Sequence, residues 1–265
     1  MLNFLRCSCA LFVLLSTGSV HSFESRGHAI ICQIAYEQLT PKTQAKVDAL
    51  VSLSPNQAFS TGCSWPDKVR DQTAFKHTKP WHYINVDRSA TSVNADDCSR
   101  EGCVVSAIAE MEKRLAKAPA TDWQALFFLG HFIGDIHQPL HVSYGDDWGG
   151  NKVKVHLDNE KTNLHAVWDG RMFNSKEAYI RQQKRLMNKL TAEDVALANN
   201  LDALVWANES YAVTHAIYQH LDAPITLNRD ELTDERDLLE LRIGLAALRL
   251  AHVLETLFGS STSNP

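Results

Sequence analysis

The run TDWQALFFLGHFIGDIHQPLHV, from Thr121 to Val142, constrains this chain more than any other stretch. Asp122 reads as a helix N-cap. Trp123, Leu126, Phe127, Gly130, Ile133 and Gly134 recur at helical spacing, so the pattern predicts a buried helix that stops near Pro139. His131 and Asp135 stand four residues apart, which turns an imidazole and a carboxylate to one helical face. His141 follows just past the proline. Ionisable groups in so apolar a helix are costly to bury unless paired or bound to a metal, so the helix demands partners from elsewhere in the chain.

Candidates recur on both sides of it. His28 lies in SRGHAI, Asp67 in SWPDKVR, His82 in KPWHYIN, and His165 with Asp169, again four apart, in LHAVWDG. Taken alone, a buried histidine is more often a hydrogen-bonded core residue than a ligand, and a His–Asp pair at this spacing is as often a local ion pair. Their number, and their setting beside Trp65, Trp81 and Trp168, argues for a metal centre. A mixed nitrogen and oxygen donor set suits zinc.

The first 22 residues read as a secretory leader. Arg6 precedes an apolar run from Ala10 to Leu15, and Val20 and Ser22 are the small residues expected before a cleavage ahead of Phe23. The apolar run is far shorter than the roughly 20 residues that span a bilayer, so no membrane anchor is expected. The mature chain, 23–265, is long enough for one domain with a substantial core, and it contains no linker, repeat or low-complexity block. We expect a secreted or periplasmic monomer. Asn208 opens an N-glycosylation sequon, meaningful only in a eukaryotic secretory route.

The formal net charge is −5, and removal of Arg6 with the leader makes the mature chain one unit more acidic. No basic stripe tracks a nucleic-acid backbone, so an anionic substrate must be drawn by bound cations that the charge count omits. Four cysteines remain in the mature chain. Cys98 and Cys103 enclose the short polar loop SREG and are paired here, which leaves Cys32 with Cys63; a four-cysteine zinc site is the competing reading, without its compact spacing.

Outside the central helix, Thr40 and Pro41 mark a helix start, and helical periodicity runs through 104–115, 175–190, 202–220 and 232–258. The one expected β element is a small hairpin, 152–157 with 161–164, turning at Asp158 and Asn159. The expected architecture is therefore all-α: a single, mostly helical domain with ligands projecting inward from several helices.

No His-Glu-x-x-His helix, paired two-spaced cysteines, glycine-rich phosphate loop or Gly-x-Ser-x-Gly elbow is present. GDDWGGN, from Gly145 to Asn151, lacks the length and terminal glutamate of an EF-hand and reads as a tight functional loop. The ordered motifs RGH, WPD, WHY, HFIGDIHQPLH, GGN and NLHAVWD resemble those of the zinc-dependent, single-strand-specific nucleases of the S1/P1 type. That family has an all-α fold with a trinuclear zinc cleft, and its usual disulfides match Cys32–Cys63 and Cys98–Cys103.

The resemblance implies three Zn²⁺ per chain. Asp67, His82, His131 and Asp135 would hold one. Asp135 would bridge to a second, completed by His28 and the backbone amine and carbonyl of Phe23, where the family normally has tryptophan. His141, His165 and Asp169 would hold the third. Asp67, Asp135 and Arg70 would be catalytic, with Arg70 facing the phosphate. Tyr83 would stack a base, Asn85 would contact its edge where fungal members have aspartate, and Asn151 would contact substrate. The implied activity is hydrolysis of single-stranded DNA and RNA to 5′-phosphate ends by a zinc-bridged hydroxide, and release of phosphate from 3′-nucleotides. Two alternatives stand beside it: a zinc-dependent phospholipase C on phosphatidylcholine-like lipids, whose last ligand pair usually ends in glutamate rather than Asp169, and an exported zinc-binding protein without activity.

Overall fold

The computed structural model describes residues 24–173, 179–221 and 224–259. The expected leader, Phe23 and residues 174–178 lie outside them. Along the chain run α1 (Glu24–Gln38), α2 (Pro41–Ser52), α3 (Phe59–Gly62), α4 (Trp65–Val69), β1 (Ile84–Val86), α5 (Val104–Lys117) and α6 (Trp123–His137). Then come β2 (Val142–Tyr144), β3 (Lys154–Leu157), β4 (Glu160–Asn163), α7 (Leu164–Ala166), α8 (Tyr179–Lys189), α9 (Ala192–Leu197), α10 (Ala203–Gln219), β5 (Ile225–Leu227) and α11 (Thr233–Phe258). The all-α expectation holds, and no helix among the described residues is long and apolar enough to cross a membrane.

The caps are where the sequence puts them. Thr40 accepts from the backbone N–H of Thr43, and Asp122 accepts from that of Ala125 at 3.0 Å while Arg114 grips both its oxygens at 2.8 and 2.9 Å. Helix α6 is buried along its whole length from Ala125 to His137 and packs against α1, α4, α5, α10 and α11. An element enclosed on all sides must be apolar all round, which explains why its sequence carries so little polarity outside the two ligand candidates and His137.

Two glycines set the approach of α1 to α6. A β-carbon at Gly130 would stand 2.6 Å from Cys63 Sγ and 2.7 Å from Cys32 Sγ, and one at Gly134 would stand 2.7 Å from His28 Nδ1. The Cys32–Cys63 disulfide therefore lies flat on α6 and ties α1 to the end of α3. The second bridge, Cys98–Cys103, closes the SREG loop as expected.

The hairpin forms with Asp158 (φ 48°) and Asn159 (φ 70°) both left-handed, as a two-residue turn of this kind requires. Two features go beyond the sequence reading. Strand β5 adds to β3 in parallel, and β1 pairs β2 in parallel with Ile84 opposite Val142 and Val86 opposite Tyr144. That second pairing sets the segment after His82 beside the segment after His141. The sequon has no free amide: Asn208 Oδ1 accepts from Val93 N–H, and its Nδ2 donates to the carbonyls of Val93 and Leu204.

Candidate metal centre

Eight side chains expected at a metal centre converge around the C-terminal half of α6, from α1, α4, α6 and α7 and from the short turns that carry His82, His141 and Asp169. Three compact sets of donor atoms result: His28 with Asp67 and His131, His82 with His131 and Asp135, and His141 with His165 and Asp169. Asp135 joins them. Its Oδ2 lies 3.0 Å from His82 Nδ1 and 3.1 Å from His131 Nε2, whereas its Oδ1 lies 3.5 Å from His28 Nε2 and 3.1 Å from His141 Nδ1. The two oxygens of one carboxylate thus face two different groups of imidazoles.

The donor spacing tests whether a metal fits. Tetrahedral zinc with bonds near 2.0–2.2 Å holds neighbouring ligand atoms about 3.3–3.6 Å apart. Around His82 Nδ1, His131 Nε2 and Asp135 Oδ2 the separations are 3.0, 3.0 and 3.1 Å, and Asp67 Oδ1 completes the set at 3.9 and 3.7 Å from the two nitrogens. His141 Nε2 and His165 Nε2 stand 3.5 and 3.3 Å from the two oxygens of Asp169. Asp67 Oδ1, His141 Nδ1 and Asp169 Oδ2 are buried without a hydrogen bond although opposite charges lie within reach, an arrangement that coordination would satisfy.

The outer partners orient these atoms. His131 donates its Nδ1–H to the carbonyl of Cys63 at 2.8 Å and His165 donates its Nδ1–H to that of Gly149 at 2.7 Å, so each presents the Nε2 lone pair inward. Gln138 donates from Nε2 to Asp169 Oδ1 at 2.6 Å and accepts from Leu140 N–H, fixing the turn between α6 and His141. Burial pushes His28 well below its ordinary value and outweighs Asp135 at His82, so both imidazoles are neutral and able to ligate. At His141 burial is outweighed by Asp135 and Asp169, which push it up to about 10. At Asp135 burial is outweighed by His131 and His141, which hold the carboxylate well below its usual range. Divalent cations placed here would replace protons as the counter-charge.

Around the centre, Arg70 sets a guanidinium nitrogen 3.1 Å from Asp67 Oδ1 and is not the fully solvated charge that a surface residue would be. Tyr83, next to His82, is 41% exposed, and Asn85 on β1 is exposed beside Gly145. Asn151 spends one amide donor on the carbonyl of Trp148 at 2.8 Å. The loop 145–152 carries three consecutive left-handed residues, Trp148, Gly149 and Gly150. At Gly149 a β-carbon would stand 2.4 Å from the carbonyl oxygen of Leu140, so only glycine fits where the carbonyl of residue 149 itself reaches His165.

Sequence reasoning missed Gln138 and a buried ionic cluster behind α6. Arg249 donates to both oxygens of Glu209 at 2.6 and 2.7 Å and to His137 Nε2 at 2.8 Å, while Arg242 donates to Glu209 at 2.8 Å and to Ser210 Oγ at 2.8 Å. His137 turns to this cluster, its Nδ1–H donating to the carbonyl of Ile133 at 2.7 Å and its Nε2 accepting from Arg249. The signal for the cluster was two arginines seven apart in LRIGLAALRL, an otherwise apolar stretch from Leu241 to Leu250.

Fold and site together define a helical domain whose buried His/Asp clusters are compatible with metal binding, and the comparisons say to which family it belongs. A sequence model of the S1/P1 Nuclease family matches residues 23–259. Endonuclease 3 of Arabidopsis thaliana is 30% identical over 260 residues, 88% of either chain. Endonuclease 2 of the same plant is 35% identical over 181 residues, 63% of this chain and 62% of the relative. Nuclease P1 of Penicillium citrinum is 34% identical over 151 residues, 54% and 55% of the two chains. The chain belongs to the S1/P1 nuclease family and is a hydrolase acting on phosphodiester bonds.

Proposed function

We propose that this protein is an exported, zinc-dependent nuclease and 3′-nucleotidase that acts on single-stranded DNA and RNA and leaves 5′-phosphate ends. The observation that carries the reading is the divided carboxylate of Asp135, one oxygen toward His82 and His131 and the other toward His28 and His141. Asp67, His82, His131 and Asp135 would hold one zinc; His28 and Asp135, with the first mature residue Phe23, would hold a second; and His141, His165 and Asp169 would hold the third. Bound zinc at such a site supplies a nucleophile at neutral pH and neutralises charge on the phosphoryl oxygens.

The chain's own residues do the rest. Gln138 and the carbonyls of Cys63 and Gly149 keep the ligands aimed inward. Arg70, anchored on Asp67, faces the phosphate and stabilises its charge as the bond breaks. Tyr83 offers a ring to an unstacked base, which favours single strands, and Asn85 reads the base edge with an amide able both to donate and to accept. An acidic protein thereby draws a polyanion through its bound cations. The enzyme works as a monomer.

Turnover of a single-stranded oligonucleotide by protein beginning at Phe23, with and without chelator, tests the reading. Chelator-sensitive cleavage leaving 5′-phosphates is expected. Zinc-loaded protein that spares the oligonucleotide and hydrolyses phosphatidylcholine would be a phospholipase C instead.

A further inference from the structure

Helix α6 ends at His137 and Pro139 bars its continuation, so the chain must turn within a few residues to bring His141 back to the carboxylate of Asp135. The turn is buried, with Ile136, His137, Gln138 and Val142 fully enclosed. A helix end leaves its last carbonyls without partners inside the helix, and burial denies these the bulk water that would otherwise serve them.

Side chains of α10 and α11 take them instead. Ser210 Oγ donates to Ile136 O, and Arg242 donates to Ser210 Oγ at 2.8 Å and from its Nε to His137 O at 3.4 Å. Thr214 Oγ1 lies within donating distance of Pro139 O and, at 3.0 Å, of Val142 O. It thus ties the main chain before and after His141. Ser210 and Thr214 are both fully buried, and their spacing of four turns both hydroxyls to one face of α10.

Neither α10 nor α11 supplies a side chain to the three donor sets. Yet the backbone of His141 hangs between two carbonyls held from α10, while its imidazole reaches Asp135 Oδ1 at 3.1 Å through Nδ1 and Asp169 Oδ1 at 3.5 Å through Nε2. Without the Thr214 hydroxyl, Pro139 O and Val142 O would each lose a buried donor. Rotation of the turn to recover one would carry the ring of His141 with it.

We propose that Thr214, seconded by Ser210, is a positioning residue of the metal centre, whose hydroxyl fixes the turn on both sides of His141 and so sets how that ring meets Asp135 and Asp169. The proposal rests on the zinc reading given above. It gives α10 a share in the third metal site without a ligand of its own.

Graded chelation of zinc-loaded protein beginning at Phe23, with released zinc followed by a colorimetric indicator, tests this. Wild type is compared with Thr214→Val, Thr214→Ser and Ser210→Ala, and with Tyr211→Phe, which removes a hydroxyl from the same helix that serves Ala90 O instead. We expect one of three zinc ions to leave Thr214→Val at a chelator concentration about ten- to hundredfold lower than from wild type, the usual effect of losing an outer partner. The other two should leave as in wild type. Ser210→Ala should shift the same way, and remains informative if Thr214→Val does not fold. Thr214→Ser should restore retention, and Tyr211→Phe should not disturb it. Wild-type release from Thr214→Val and Ser210→Ala, or loss of all three ions together in step with a fall in Tm, would overturn the positioning role. Wild type that binds no zinc would overturn the metal reading, and the proposal with it.

Discussion

Gly134 lies directly against His28: a β-carbon at 134 would stand 2.7 Å from His28 Nδ1 and 3.1 Å from its Cε1. The imidazole also stacks on His131 at 3.8 Å between centroids, so it has no room to retreat on that side. Helix α6 thus positions His28 by what it lacks. Gly134→Ala should displace the ring, cost about 1–3 kcal/mol through overpacking, and lower zinc content by one ion per chain with a matching loss of turnover. Elemental analysis beside kinetics checks this; a variant with full zinc and full activity would show that α1 can shift freely.

Asp135 and Asn85 separate metal binding from base choice. Asp135→Asn removes the negative charge shared by two groups of imidazoles and should cut turnover at least about a hundredfold, beyond the usual effect of outer partners. Asn85→Asp should leave total turnover near wild type and alter which bases flank the cleavage. Rates on a panel of homopolymeric oligonucleotides decide, and similar rates for Asp135→Asn and wild type would refute the ranking.

Glu209 links stability to acid. Burial raises its carboxyl, but Arg249 and Arg242 outweigh burial and hold it below the ordinary 4.5. A depressed carboxylate contributes stability that is present above about 4.5 and is lost as pH falls through its folded value. Glu209→Gln should therefore flatten the fall in Tm on acidification below that point. At neutral pH it should destabilise by about 3–5 kcal/mol, because two buried guanidinium groups lose their anion. Thermal scans from pH 7 to pH 3 measure both effects; an unchanged slope would place the acid lability elsewhere.

The Cys32–Cys63 bridge spans 31 residues, and a loop of that size corresponds to about 4 kcal/mol of stabilisation through the unfolded chain. The Cys98–Cys103 bridge spans only 5 and should contribute less. Paired Cys→Ser variants compared in guanidinium titrations test the order. The first pair should also weaken zinc retention, since it fixes α1 and hence His28 against α6; equal midpoints for both pairs would contradict this.

Much of the site was legible because its donors sit in short strings that also carry local structure. His131 and Asp135 share a helical face, and His165 and Asp169 repeat the same spacing. The long helices announced themselves by period and cap. What escaped notice depends on distant partners. Three-residue strands have no pattern, so the pairing of β1 with β2 that brings Asn85 beside Gly145 was invisible. Arg242 and Arg249 look like solvated charges in the sequence, yet both are buried because Glu209 meets them from α10. Gln138 passed as filler between two ligands, although it holds Asp169.

The central claim is that these eight side chains, with the first mature residue, form three metal sites. Anomalous scattering across the zinc absorption edge, from crystals of protein beginning at Phe23, tests it most directly. The account predicts three peaks: one among Asp67, His82, His131 and Asp135, one beside His28 and Asp135, and one among His141, His165 and Asp169. Zinc-saturated crystals with no peak between His82, His131 and Asp135 would contradict it.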